Sequence, residues 1–153
     1  MFDTLSGKAV RLWKTWRLDR AEIKDDVLVY NHEGDTIHFE VWKDHGRVEL
    51  AHFSLSKIPG TLWLYSSGVW VAESYRGRGI GEDLNRFRRA LCEDAKAWGL
   101  LAFVRGDNTV ERLILCRGNW KLLETMVVPL TRYTQEIWVW KSSFFGVKHA
   151  IEE

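Results

Sequence analysis

Three glycines fall within five residues, Gly77, Gly79 and Gly81, between a strand pattern ending near Ala72 and the most regular helical stripe in the chain. No other feature restricts the fold as much. In the stripe, Ile80, Leu84, Phe87, Leu91, Ala95 and Trp98 recur at spacings of 4, 3, 4, 4 and 3, one apolar helix face that Gly99 is expected to end. Residues 62–71 read as a strand in which Gly68 marks a bulge or a close backbone approach. A strand that runs through a glycine-rich turn into a helix aims successive N–H groups, and the positive end of the helix dipole, at one point. Arg76 and Arg78 add charges that pair well with phosphate oxygens. These residues together predict a pyrophosphate cradle. The spacing does not fit two other phosphate loops: no Gly-Lys-Ser/Thr follows, and no third glycine stands at the dinucleotide-fold offset.

The rest of the chain supplies strands and short helices. Residues 8–25 read as a helix with Trp13 and Trp16 on one side and cations on the other. A short strand is expected over 27–30 and turn chemistry over 31–35. Apolar and polar residues alternate over 37–42, and after a turn at 44–46 a second strand over 47–55 completes a hairpin. Residues 57–60 form a loop, and 100–104 are a short apolar strand. Asp107 or Asn108 is placed to cap a helix that runs through Cys116. Two more strands follow over 120–128 and 135–140, and the tail from 142 to 153 reads as weakly structured. The order predicts a mixed α/β fold in one domain over residues 1–153, its N-terminal helical segment spanning 1–26.

Composition narrows the class of protein more than its activity. With 46% apolar and 28% charged residues, the chain is globular in character. Its net charge of +1 is a sum of unlike segments: +4 over residues 8–20, −5 over 21–49 and +3 over 76–89. That segregation suits a phosphate-bearing ligand on one side and a cationic one on the other. Two cysteines imply neither a disulfide framework nor a zinc cage, and His32, His38, His45 and His52 are not spaced as metal ligands. The start lacks a basic stretch followed by an apolar run, and no stretch reaches the length of a membrane span. A cytoplasmic protein without membrane contact is expected.

Residues 71–81, Val-Ala-Glu-Ser-Tyr-Arg-Gly-Arg-Gly-Ile-Gly, resemble motif A of the GNAT superfamily, the acetyl-CoA-dependent N-acetyltransferases, whose core Arg/Gln-x-x-Gly-x-Gly/Ala is matched by Arg76, Gly79 and Gly81. Asn108-Thr109, a short helix and then Gly118-Asn119-Trp120 are similar to the family's next motif. The resemblance covers residues 69–120 and implies a central mixed, mostly antiparallel sheet with flanking helices and a splayed cofactor cleft. It further implies that acetyl-CoA is the acyl donor. Backbone groups of Val69, Trp70 and Val71 would hold the pantetheine arm, and Arg76, Gly77, Arg78, Gly79, Ile80 and Gly81 the pyrophosphate. Asn108 is expected near the thiol end of the arm.

Where the family often carries a general-acid Tyr this chain has Leu115, or Ile114 if the motif slips by one residue. Water is left as the proton donor to the thiolate, with Cys116 the neighbouring thiol. The base is open between Tyr65, at the strand position where relatives carry a carboxylate, and His52 on the adjoining strand. The acceptor would be a primary amine, on a small molecule or a protein. Nine Trp residues also fit a catalytically idle coenzyme A-binding or protein-interaction module. The cationic 8–20 segment keeps a nucleic-acid partner open, and exposed Trp138 or Trp140 would serve a homodimer contact.

Overall fold

The computed structural model describes residues 27–43 and 48–148, with side chains described from residue 33 onward. Seven strands form one sheet: β1 (Val27–Glu33), β2 (Thr36–Lys43), β3 (Val48–Lys57), β4 (Trp63–Val71), β5 (Gly99–Arg105), β6 (Lys121–Val127) and β7 (Thr134–Lys141). Two helices interrupt the strands, α1 (Ile80–Asp94) and α2 (Thr109–Arg117). The order across the sheet is β1-β2-β3-β4-β5-β7-β6. Only β4 and β5 run parallel, as strands joined through a crossover helix must, and every other neighbour is antiparallel. The 8–25 helix and the cationic 8–20 segment lie outside the described residues.

Period-2 patterning decides which face is covered. Ile37, Phe39, Val41, Phe53, Leu55, Leu64, Leu100 and Ala102 are buried on one face. There α1 inserts Ile80, Leu84, Phe87 and Leu91, with the Phe87 ring edge-on to Phe39 at 5.8 Å and Phe53 at 5.7 Å. The alternate residues, among them His38, Glu40, His52, Tyr65 and Phe103, are partly or well exposed on the other face.

The helix is shorter than the apolar stripe. It ends at Asp94, Ala95 caps it, and Lys96 adopts a left-handed φ of 57°. Gly99 therefore does not end the helix but starts β5. A Cβ there would collide with the Trp140 carbonyl oxygen and reach within 2.6 Å of the Trp63 ring, so the glycine lets three strands close up. The stripe misled because Trp98 keeps helical spacing while its N–H is taken by the Leu62 carbonyl at 2.7 Å. Gly68, by contrast, is a bulge as expected: φ is +63°, and the β3–β4 register shifts between His52 and Ser54.

Several boundary expectations change, the strand expected over 47–55 running 48–57 and the turn at 44–46 lying outside the described residues. The first strand reaches Glu33, and the last two run 121–127 and 134–141. Trp138 is 4% exposed, not the exposed residue expected, and Trp140 is half-buried; both sit beside β5, paired with Ala102 and Leu100. Residues 142–148 are turn rather than regular structure, yet they are anchored. Ser142 N–H bonds the Trp98 carbonyl at 2.8 Å, Ser143 N–H bonds Glu93 at 2.8 Å, and the Trp98 indole donates to the Val147 carbonyl at 2.6 Å.

Candidate active site

The parallel pair β4–β5 is hydrogen-bonded only from Trp63–Gly99 to Ser66–Ala102. Past that point the strands part. β3 still pairs with β4 as far as Val71, and β7 still pairs with β5 as far as Arg105. The facing edges of residues 67–71 and 103–105 are thus left without a strand partner among the described residues. The bulge at Gly68 sits where the divergence starts, and its extra twist drives the strands apart. The gap is a cleft of about 240 Å³ lined on one side by Ser66, Ser67, Gly68 and Val69 and on the other by residues 102–105 of β5. Arg88, Asn108 and Glu111 line it from the two helices.

At the open end of β4 the chain makes a single 3-10 turn, Glu73–Tyr75, and enters α1 through Gly79. Gly77 (φ 78°) and Gly79 (φ 81°) take left-handed conformations that a side chain would strain. Gly79 is the N-cap and supplies no side-chain acceptor, so the first-turn N–H groups of Ile80, Gly81 and Glu82 keep no partner from a capping side chain. A Cβ on Gly77 would meet nothing within 4 Å, which leaves an open approach to that backbone. Gly81 serves packing instead. A Cβ there would lie 2.7 Å from Ile114 Cδ1, so its bareness lets α2 sit against α1. Arg76 donates through Nε to the Val71 carbonyl at 2.9 Å, and Arg78 lies over the Tyr75 ring at 5.3 Å.

This arrangement fits a pyrophosphate with an extended arm: free helix N–H groups and two exposed cations at the mouth, then unpaired strand edges of the right kind behind them. Of the predicted cofactor residues, Val69 and Asn108 line the cleft; Arg76, Gly77, Arg78, Gly79, Ile80 and Gly81 follow the end of β4 rather than line it, and the Ile80 side chain is buried in the core. Asn108 is also the N-cap of α2, its Oδ1 accepting the Glu111 N–H at 3.2 Å. Trp70 turns its ring to the face opposite α1, against His52. The arginine run does not form one phosphate surface: Arg86 pairs with Asp83 at 2.6 Å, Arg89 bonds the Gly118 carbonyl at 3.0 Å, and Arg88 is wholly buried.

The two candidate bases lie apart on the face opposite α1. Tyr65 packs its ring 5.2 Å from Phe103. His52 stacks on Trp70 at 4.9 Å, and its Nδ1 lies 2.6 Å from Glu49 Oε1. Glu40 is the cross-strand neighbour of His52 and accepts the Trp42 indole N–H at 2.8 Å. Leu115 is fully buried in the core and Cys116 is exposed. No acid therefore reaches the cleft from the Leu115 position. The shift of the glycine to Gly118 has a packing cause. A Cβ there would collide with the Asn85 amide, whereas Asn119 tolerates its left-handed φ of 64°.

Sequence reasoning missed the foot of the cleft. Arg88 Nη1 donates to Ser66 Oγ at 2.9 Å, and Nη2 lies 3.4 Å from Asn85 Oδ1 and 3.5 Å from Glu111 Oε1. Its guanidinium carbon lies 5.6 Å from the Trp120 ring centroid, and its Nε has no hydrogen-bond partner. Burial lowers its pKa, Glu111 opposes that shift, and Arg89 adds to it. The available signal was position. Arg88 lies four residues after Leu84 and three before Leu91, inside the stripe that faces the sheet.

Comparison with solved structures finds this architecture in acetyltransferases. The ribosomal-protein-S18-alanine N-acetyltransferase from Escherichia coli matches with a TM-score of 0.64 at 13% identity, over 77% of this chain and 76% of that one. Nourseothricin acetyltransferase matches with 0.62 at 16% identity, over 76% and 84%. A protein provisionally assigned as a streptothricin acetyltransferase, from Bacillus anthracis str. Ames and in complex with acetyl coenzyme A, matches with 0.63 at 13% identity, over 73% and 65%. No protein-family model and no curated protein sequence matches the chain.

Proposed function

For a chain that has the GNAT acetyltransferase fold, we propose the activity of an N-acetyltransferase that moves the acetyl group of acetyl-CoA to a primary amine. The observation that carries this reading is the parallel pair β4–β5, which splays beyond Ser66 and leads to a helix N-terminus entered through Gly79. When bound, the coenzyme supplies an activated thioester. The chain's part is to hold and orient it. The N–H groups of residues 80–82, with Arg76 and Arg78, face the pyrophosphate. The free edge of residues 69–71 pairs with the arm, and a β4 N–H polarises the carbonyl oxygen.

The amine must lose a proton to attack. His52 is the better placed of the two bases, because Glu49 orients its ring through Nδ1 and leaves Nε2 to accept the proton, directly or through water. Tyr65 packs its ring against Phe103, which makes it a wall of the acceptor side. Glu40, Glu49, Trp42 and Trp70 on the same face suit a cationic amine through charge and ring contact. With Leu115 in the core, water protonates the departing thiolate.

Titration calorimetry with coenzyme A tests the site; absence of binding by folded protein overturns the proposal. Thiol release from acetyl-CoA in the presence of mixed amines tests turnover, and His52→Gln is expected to lower it about 100-fold while leaving coenzyme binding intact. The burial of Leu115 favours one second reading, a coenzyme-binding module without turnover. Binding with no thiol release would select it.

A further inference from the structure

The foot of the cleft holds a charge that a neutral pantetheine arm does not require. Arg88 is 0% exposed, and its nearest partners, Ser66 and Asn85, are uncharged. Its single carboxylate neighbour among the described residues, Glu111, makes one contact at 3.5 Å, where a bidentate guanidinium–carboxylate fork sits at about 2.8 Å. Nε is buried and unpaired. A buried cation without a well-seated counter-ion is costly, and a well-placed anion would offset that cost. Of the three charged residues lining the cleft, Arg88 and Arg105 are cations and Glu111 alone is an anion.

We propose that this foot is an acyl-group subsite selective for a terminal carboxylate, so that thioesters of dicarboxylic acids, malonyl or succinyl in kind, are preferred to acetyl. The inference rests on the acyl-CoA reading of the cleft. With the pyrophosphate at the mouth, the arm runs back along β4 toward Gly68, and the acyl group points on to Ser66. Arg88 lies nine residues into the helix from Gly79, about 13 Å at 1.5 Å per residue, which brings it level with that strand position. Glu111 covers the guanidinium from the first turn of α2, its side chain 13% exposed. A ligand carboxylate takes the place Glu111 now holds, and Glu111 rotates outward to solvent. The transfer itself is unchanged in balance. The amine nitrogen forms the C–N bond, and the C–S bond breaks with its electron pair on sulfur. One proton leaves the nitrogen through His52 or water and ends on the thiolate. The remote carboxylate stays ionised throughout.

The test compares coenzyme A, acetyl-CoA, malonyl-CoA and succinyl-CoA by calorimetry and by ligand-induced shift in unfolding temperature. At least one carboxylate-bearing thioester is expected to bind about 10-fold more tightly than acetyl-CoA, and Arg88→Met to bring the two within about twofold. Glu111→Gln removes the competing carboxylate and is expected to widen the wild-type preference. Should Arg88→Met fail to fold, the wild-type ranking and Glu111→Gln decide alone. Equal binding of acetyl-CoA and both acidic thioesters overturns the subsite while leaving the acyl-CoA reading in place. If coenzyme A and all three thioesters fail to bind, the acyl-CoA reading falls and the subsite with it.

Discussion

On the proposed reading, the groups that meet a ligand at the mouth of the cleft are backbone N–H groups of α1 and the exposed Arg76 and Arg78, and at its foot they are side chains, Ser66, Arg88 and Glu111. The two ends also differ in solvent. Charges at the mouth are screened by water and salt, so each adds little and none is indispensable. Arg88 works in a low dielectric, where one misplaced partner is expensive and one well-placed anion is worth much more. The difference separates two roles within one gap. On the acyl-CoA reading, backbone at the mouth would give affinity for what all acyl-CoA donors share, and a buried side chain at the foot would discriminate between their acyl ends.

That division depends on β4 and β5 being clamped at one end so that they can part at the other. Gly99→Ala attacks the clamp. The new Cβ collides with the Trp140 carbonyl oxygen and presses on the Trp63 ring, and neither the backbone nor the packed ring can yield cheaply. A loss of about 3 kcal/mol is expected, read from the urea midpoint, with coenzyme binding reduced in the same protein. A loss below about 1 kcal/mol would show that the strands close without the glycine.

Asn85→Leu strikes the foot alone. Asn85 Oδ1 accepts from the Trp120 indole at 2.9 Å and from Arg88 at 3.4 Å, so the substitution strands two buried donors. Stability is expected to fall by about 2 kcal/mol, while affinity for coenzyme A itself stays within about twofold. An equal fall in coenzyme affinity would mean that mouth and foot are one unit.

How much of this was legible in the sequence follows the same division. The turn into α1 was legible because backbone conformation is written as glycine: the left-handed Gly77 and Gly79 and the bulge at Gly68 were each readable without a fold. Period-2 and period-3.6 patterns likewise placed the strands and α1, since burial on one face leaves a local trace. The foot was not readable, because Ser66, Arg88, Glu111 and Asn85 meet only after a crossover joins β4 to α1 and α2 packs beside it. Gly99 failed for a related reason. Its partners Trp63 and Trp140 lie 36 residues before it and 41 after it, and a glycine after a helical stripe resembles a cap when seen locally.

The smallest effect is expected at the mouth itself. Arg76→Ala removes one exposed cation and the Nε bond to the Val71 carbonyl. If the charge acts on phosphate through water, coenzyme affinity falls only about 3–5-fold at low salt, and the deficit shrinks as ionic strength rises toward about 0.5 M. Arg76→Lys, which keeps the charge, then recovers most of it. Titrations of the three proteins at several salt concentrations separate this from a structural role. In a structural role the Val71 bond would be what matters, because it fixes the end of β4 along which the arm must lie. The loss would then be independent of salt, and lysine would not restore it. A salt-independent loss would move Arg76 from the screened, replaceable class at the mouth into the geometric class now represented by Gly68 and Gly99, and the contrast between the two ends would narrow by that one residue.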